Sequence, residues 1–323
     1  MTSQNTRSGA GILVEINGRV QHNEMVVVVT DHTMTDIADL VVTAAEDVGA
    51  KVVTCVMPTR EHDGQEPPGP IAAAMAKADV IFSPVRRSIT HTRAMRAALD
   101  AGARAILMTA YTEELLKSPA LLLTDFRDQA AVCRRIGDAF TSGKSVRLTG
   151  PGGTDLTFSI EGRTANVLTN IPEPGELAPV PDIEVNVVPV TGSANGILVA
   201  DASVPYLGIG ILEEPIVSRI EDGFITDMHG GGQADILKGD LDSHGDRNCY
   251  NVAELGLGLN PNARLTGTML DDEGVLGTIH IGIGTSFTLG GEVVAPTHYD
   301  LLMWAPTIEV DGKIIQRDKE ILV

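Results

Sequence analysis

The spacing of hydrophobic positions changes near the middle of the chain. Before about residue 145, unbroken apolar runs alternate with stretches of helical period. Met25-Val-Val-Val-Val-Thr30 is a continuous β-branched run, as expected of a parallel strand covered on both faces. Ile37, Leu40, Val41, Ala44 and Val48 follow at helical spacing and predict a helix over 35–48, stopped by Gly49. Lys51–Met57 reads as a strand, and Pro67-Pro-Gly-Pro70 as a loop into an Ala-rich helix over 71–78. A strand over 79–83, a helix over 91–101 and a strand over 104–109 come next. This alternation predicts an α/β domain over residues 1–144 with a doubly wound parallel sheet, Rossmann-like or flavodoxin-like. A helix over 125–142 is expected to connect it to the rest, with Gly143-Lys144 as C-cap and boundary.

From Ser145 the apolar positions alternate with polar ones in short segments. Strands are expected over 146–149, 156–160, 184–188, 196–200, 215–220, 224–228, 278–283 and 307–310. Glu221-Asp-Gly-Phe224 and Val310-Asp-Gly-Lys313 predict hairpin turns, and one helix is expected over 233–242. Residues 145–323 thus form a β-rich α+β domain.

Charge sharpens this division. The chain of 323 residues carries 24 Lys+Arg and 43 Asp+Glu, a net charge of -19 at pH 7. Residues 1–144 hold 15 basic and 17 acidic side chains, and residues 145–323 hold 9 and 26. Such acidity repels phosphate backbones, so nucleic acid is not expected as a partner. Solubility accounts for the charge in general; convergence of some carboxylates on a cation is the sharper alternative, and composition leaves both open. Cys55, Cys133 and Cys249 are widely spaced with no CxxC pair, which suits a reducing compartment better than a disulfide framework. No signal peptide or membrane-length apolar run is evident, so a cytoplasmic protein is expected.

Among possible chemical motifs, His298-Tyr-Asp300 places imidazole and carboxylate at i and i+2. On an extended strand both project to one face and could reach one ion. His280 lies in the otherwise apolar Gly277-Thr-Ile-His-Ile-Gly-Ile-Gly284, where an imidazole needs a partner. Glu254 lies among apolar residues and glycines, so it is either exposed at a rim or paired with a cation. Glu184, between Ile183 and Val185, is expected at the surface. Asp271-Asp-Glu273 reads as a solvated loop, or as a source of a general base or ligand. Gly150-Pro-Gly-Gly-Thr154 and Gly230-Gly-Gly232 read as turns and not as phosphate loops. Arg86, Arg87, Arg93 and Arg96 read as a solvated face. No GxGxxG follows the first strand and no GxSxG is present, so a dinucleotide site and a serine nucleophile are unsupported.

Several segments resemble one known family. Asn251-Val-Ala-Glu-Leu-Gly-Leu-Gly-Leu-Asn-Pro261, Asp272-Glu-Gly-Val-Leu-Gly-Thr-Ile-His-Ile-Gly-Ile-Gly284, Gly290-Gly291 and Thr297-His-Tyr-Asp300 are similar to the metalloaminopeptidases of the aminopeptidase T type. Glu184-Val-Asn-Val-Val-Pro-Val and Ala194-Asn-Gly-Ile-Leu-Val-Ala-Asp201 extend the likeness upstream. The resemblance implies a metal-binding catalytic domain over 145–323 with Glu184, Glu254, His280, His298 and Asp300 as ligands. Those peptidases carry a tyrosine seven positions after the histidine matching His280; here the position is Phe287. The 2,5-dihydroxypyridine 5,6-dioxygenases form a second branch, with one Fe(II) held by two His and one Asp. His298 and Asp300 match two of those ligands; that branch has a histidine at the position of Glu254 and none at the position of His280. Ile225-Thr-Asp-Met-His-Gly-Gly231 is similar to a segment of that branch.

The resemblance implies a metalloenzyme acting on a small molecule. Hydrolysis of an amide or peptide-like bond ranks first, with Zn, Mn or Co held by Glu254, His280, His298 and Asp300. Glu184 then serves as a second-metal ligand or general base, and Glu273 is the other candidate catalytic acid. An Fe(II) ring-cleaving dioxygenase of an N-heterocyclic diol ranks second, and a non-catalytic binding protein third. Homo-oligomerisation is expected from the resemblance and from the habit of soluble enzymes.

Overall fold

The computed structural model describes residues 8–323. They pack as two compact units: one runs to Ala130 and resumes over Leu168–Pro181, and the other comprises Ala131–Val167 and Asp182–Val323.

The first unit is built on a parallel sheet. Its strands stand in the order Lys51–Met57, Met25–Asp31, Val80–Val85, Arg104–Thr109, Leu177–Ala178, every neighbouring pair parallel. The first four follow the 2-1-3-4 order of a flavodoxin-like doubly wound sheet. Val26, Val28 and Val29 are fully buried, as a β-branched run in a central strand must be. Helices Thr35–Asp47, Gly69–Met75 and Arg93–Asp100 cross between the strands, and Met75, Met95 and Ala98 pack with Val27, Val29 and Ile81 in its core. Arg87, Arg93 and Arg96 pair with Asp63, Glu66 and Asp100 of the same unit.

The last strand of this sheet comes from a later part of the chain. Gly175 and Glu176 bond to Ala103 and Ala105 through the backbone, the Asn17 amide donates to the Asn170 carbonyl, and the Tyr111 hydroxyl donates to the Val180 carbonyl at 2.9 Å. The sequence placed the boundary once, at 144/145, whereas the units divide at 130/131 and again around 168–181. Leu177-Ala178 is too short to carry a strand signature of its own. Gly143 does not take the left-handed conformation of a C-cap; a side chain there would collide with Val310 and crowd Ile160, so its glycine serves close packing.

The second unit is mainly antiparallel. Among the described residues it contains an eight-stranded sheet running from Phe224–His229 to Glu320–Ile321. Both expected hairpins are present. Asp222-Gly223 and Asp311-Gly312 have φ of 48°, 80° and 49°, 82°, the doubly positive pattern of a type I′ turn. Gly150-Pro-Gly-Gly153 turns between strands Ser145–Thr149 and Asp155–Ser159. Gly230-Gly231 differs from expectation, because it leads from the strand Phe224–His229 into the helix Gly232–Ser243. The Glu214 carboxylate lies beside Gly231, so the chain places an acid of its own there.

A second sheet in this unit carries His298–Trp304, Thr278–Gly284, Val252–Gly258 and Glu184–Val187 in that order, all pairs antiparallel. Sequence periodicity did not mark Val252–Gly258 as a strand, since Gly256 and Gly258 dilute it. It is nonetheless buried along its whole length.

Candidate metal centre

The two faces of this sheet are chemically distinct. Odd-numbered positions (Ala253, Leu255, Leu257, Ile279, Ile281, Ile283, Leu301, Met303) are apolar and buried, and even-numbered positions carry the polar side chains. The period of two fixes this separation. Across the strands, register alternates a functional side chain with a glycine. Glu184 lies opposite Gly258, Gly256 opposite His280, Glu254 and Asp300 on either side of Gly282, and Gly284 opposite His298. Gly256 and Gly282 leave room for neighbouring side chains to lean sideways and converge, whereas Gly258 and Gly284 admit backbone, of residues 273–275 and of Thr297. A Cβ at 256 would enter the His280 ring, and one at 282 would stand 2.9 Å from both the Glu254 Cβ and the His298 ring.

Three overlapping groups result: Glu184 with Glu254 and His280, Glu254 with His298 and Asp300, and Asp182 with Glu184 and Glu273, with one donor atom per residue mutually within 4.8 Å in each group. His280 Nε2 lies 3.6 Å from Glu184 Oε1, 3.8 Å from Glu254 Oε1 and 4.0 Å from Asp300 Oδ1. His298 Nε2 lies 3.0 Å from Glu254 Oε2 and 3.5 Å from Asp300 Oδ1. His298 Nδ1 is 2.8 Å from the Thr285 carbonyl. A carbonyl can only accept, so Nδ1 carries hydrogen and Nε2 is the atom turned to the cluster.

All six residues singled out in the sequence therefore meet in one place. Two surface expectations are corrected. Glu184 is buried, and its oxygen accepts from Asn186 Nδ2 at 2.6 Å. Asp272 and Glu273 are buried rather than solvated, because the turn that follows the short helix Met269–Asp272 folds under the sheet edge, where Asn260 N–H donates to the Gly274 carbonyl at 2.7 Å. Two residues went unnoticed in the sequence. Asp182 stands two residues before Glu184, the same spacing as His298 and Asp300, and escapes notice because Glu184 itself is expected at the surface. Tyr206, whose hydroxyl reaches Asp300 Oδ2 at 2.7 Å and Glu273 Oε1 at 3.0 Å, lies in a segment with no periodic signal. The even-numbered glycines of Gly256-Leu-Gly258 and Gly282-Ile-Gly284 were the legible sign of the site face. Phe287 is 63% exposed and belongs to no group described above.

Electrostatics explain why this cluster needs a cation or protons. Five carboxylates (Asp182, Glu184, Glu254, Glu273, Asp300) face two imidazoles, all but His298 buried. Full ionisation would leave excess negative charge out of water, which is costly. Burial, then the Glu184 carboxylate, pushes Asp182 well above the usual range. Burial and Asp300 do the same to Glu273. Burial also raises Glu184, with His280 opposing it. For Asp300 and Glu254 the upward push of burial is outweighed by both imidazoles, which hold these carboxyls below their ordinary values. Burial alone would lower the two histidines. Glu184 and Asp300 instead hold His280 well above its usual value, and Asp300 and Glu254 do so for His298. Asp300 Oδ1, Asp182 Oδ1 and His280 Nδ1 are buried without a hydrogen-bond partner, and orphaned oxygens of this kind are unusual. Oxygen and imidazole donors so arranged suit Fe, Zn or Mn.

Comparison with known proteins identifies the family. Residues 16–322 match the family model described as NicX, 2,5-dihydroxypyridine 5,6-dioxygenase. The curated 2,5-dihydroxypyridine 5,6-dioxygenase of Pseudomonas putida strain KT2440 is 30% identical over 137 residues, an alignment spanning 39% of this chain and 39% of that protein. The solved structure of the 2,5-dihydroxypyridine dioxygenase from Pseudomonas putida KT2440 superposes with a TM-score of 0.82 at 21% identity, covering 98% of each chain. Wild-type AmpT from Thermus thermophilus superposes with a TM-score of 0.68 at 17% identity, again over 98% of each chain. At these identities the two superpositions speak for the fold. The family matched is that of the chemistry ranked second from the sequence, not the hydrolases ranked first. From residue 16 to residue 322, this chain is a member of the 2,5-dihydroxypyridine 5,6-dioxygenase family.

Proposed function

We propose that this protein is a metal-dependent ring-cleaving dioxygenase whose substrate is a small dihydroxylated N-heteroaromatic compound. Its metal would be Fe(II), held by His298 and Asp300 with His280 or Glu254 completing the set; Glu254, His298 and Asp300 have donor atoms mutually within 4.8 Å. One observation carries the assignment: the orphaned Asp300 Oδ1 lies 4.0 and 3.5 Å from the Nε2 atoms of the two histidines. Ligands of one ion at about 2.1 Å each stand about 3–4 Å apart. Two imidazoles and a carboxylate are the donor set of non-haem Fe(II) oxygenases. The chemistry the ion supplies when bound is activation of dioxygen beside a coordinated ring diol.

The chain's own residues do the rest. Thr285 fixes the His298 tautomer. Glu254 Oε2 lies against His298 Nε2 and balances charge beside the ion. Glu184 and Glu273 are the candidate acid–base groups, since both are buried with raised affinity for a proton.

A second reading is favoured by one specific feature. The two oxygens of Glu254 face different histidines, Oε1 toward His280 at 3.8 Å and Oε2 toward His298 at 3.0 Å. A carboxylate so placed can be shared by two ions, as in amide hydrolysis by Zn, Mn or Co. Anaerobic loading with Fe(II), followed by addition of 2,5-dihydroxypyridine at an oxygen electrode, decides between them. Oxygen uptake with loss of the ring absorbance is expected. No uptake with any dihydroxypyridine, together with amide cleavage after Zn, Mn or Co loading, would reverse the order.

A further inference from the structure

We infer that Tyr206 is a positioning residue of the metal centre: its hydroxyl engages the Oδ2 oxygen of Asp300 and so turns Oδ1 alone toward the ion. The inference rests on the reading of Asp300 as a ligand given above, and holds for either chemistry.

Tyr206 belongs to none of the ligand groups and comes from a different part of the fold. It follows the short strand Ser203–Val204, which pairs with Gly210–Ile211. Between them the backbone reverses sharply. Leu207 and Gly208 have φ of 57° and 73°, and the Ile209 N–H donates to the Tyr206 carbonyl at 2.9 Å. A leucine in the left-handed region is disfavoured by sterics, and such conformations persist where surrounding structure dictates them. The hairpin is tied to the Asp300 strand by the Ala202 N–H, which donates to the Leu302 carbonyl at 3.1 Å. The Tyr206 ring also rests against Tyr299, with centroids 5.3 Å apart and planes at 50°. Backbone and ring together hold the phenol where its hydroxyl meets Asp300 at 2.7 Å and Glu273 at 3.0 Å.

The chemical consequence concerns how Asp300 presents itself. A carboxylate free to rotate can offer both oxygens to one ion. With Oδ2 accepting the short bond from Tyr206, Oδ1 remains, and this is the oxygen that lies beside both histidines and has no hydrogen-bond partner. Monodentate binding would leave one more position for substrate. Groups that orient a ligand in this way typically contribute about 10–100-fold in metal affinity.

Co(II) titration of the full-length protein under anaerobic conditions, followed by visible absorption, tests this. Tyr206→Phe keeps the ring and removes only the hydroxyl. It is expected to weaken Co(II) binding about 10–100-fold and to change the position or intensity of the Co(II) bands. Metal-free circular dichroism should match the wild type. Tyr250→Phe, which removes a hydroxyl bonded to Asp242 at 2.6 Å, should leave affinity and spectrum unchanged. Equal affinity and identical spectra for wild type and Tyr206→Phe would overturn the inference, as would an equal loss in Tyr250→Phe. A wild-type protein that binds no Co(II) would instead overturn the ligand assignment beneath it.

Discussion

Gly256 lies directly across the strand pair from His280, and the imidazole fills the space that a side chain at position 256 would need. The same glycine faces Asn186 on its other side, so neither neighbour can simply move away.

Gly256→Ala is therefore expected to displace His280 and to abolish stoichiometric metal binding, at an overpacking cost of about 1–3 kcal/mol. Gly282→Ala should do likewise through Glu254 and His298. Gly239, exposed in the helix Gly232–Ser243 with open space around it, is the control. Gly239→Ala should raise stability by about 0.5–1 kcal/mol and leave metal content unchanged. Metal analysis and thermal unfolding of the three variants check this; full metal occupancy in Gly256→Ala would refute it.

Ligand and acid–base roles separate under substitution. Asp300→Asn should lower metal affinity by more than the roughly 100-fold typical of a group behind a ligand. Under the single-ion reading Glu184→Gln should keep its iron and lose turnover. Loss of half the bound metal in Glu184→Gln would point to two ions instead.

The histidines give the site a defined pH dependence. Both imidazoles in the metal-free protein titrate above their ordinary value, which is about 6.5 in an unfolded chain. Their contribution to stability is complete below about pH 6.5 and is lost as pH rises through the folded values. A metal requires the same nitrogens unprotonated. The rise in unfolding temperature caused by Zn(II) should thus be larger at about pH 8.5 than at about pH 6, with protons released on binding. A metal effect that shrinks over that range would contradict the arrangement.

Arg163 and Glu292 form a two-pronged pair at 2.6 and 2.8 Å, and Thr191 donates to the same carboxylate. The Arg163 hydrogen bonds hold the Glu292 carboxyl down at about 2. Its stabilisation is present above the ordinary carboxylate value and is lost as pH falls through about 2. Glu292 is 63% exposed, so Glu292→Gln should cost only about 0.5–1 kcal/mol near neutral pH and distinctly less at about pH 2, where the carboxyl is partly protonated. Urea unfolding at the two pH values measures it.

Much of the fold was legible because its elements are long and periodic. The run Val26–Val29 is buried on both faces, and the helix expected over 125–142 spans Phe126–Ser142. The candidate ligand residues were legible by type and by resemblance, and their meeting follows from strand register. Glu184 and Glu273 were misjudged as exposed because burial of an acid depends on partners far away in the chain. Tyr206 was invisible for a related reason: a single phenol on an irregular turn has no period to betray it.

The strand Leu177–Ala178 reaches the parallel sheet only after residues 131–167 have been laid down in the other unit. A fragment cut at the apparent boundary of residue 144 would expose the Arg104–Thr109 strand as an open edge, and would forfeit the bonds from Asn17 and Tyr111 to the returning segment. Exposed strand edges invite aggregation. On the ribosome, likewise, the N-terminal unit stays unfinished until residue 181 has emerged, since neither unit is an uninterrupted piece of chain.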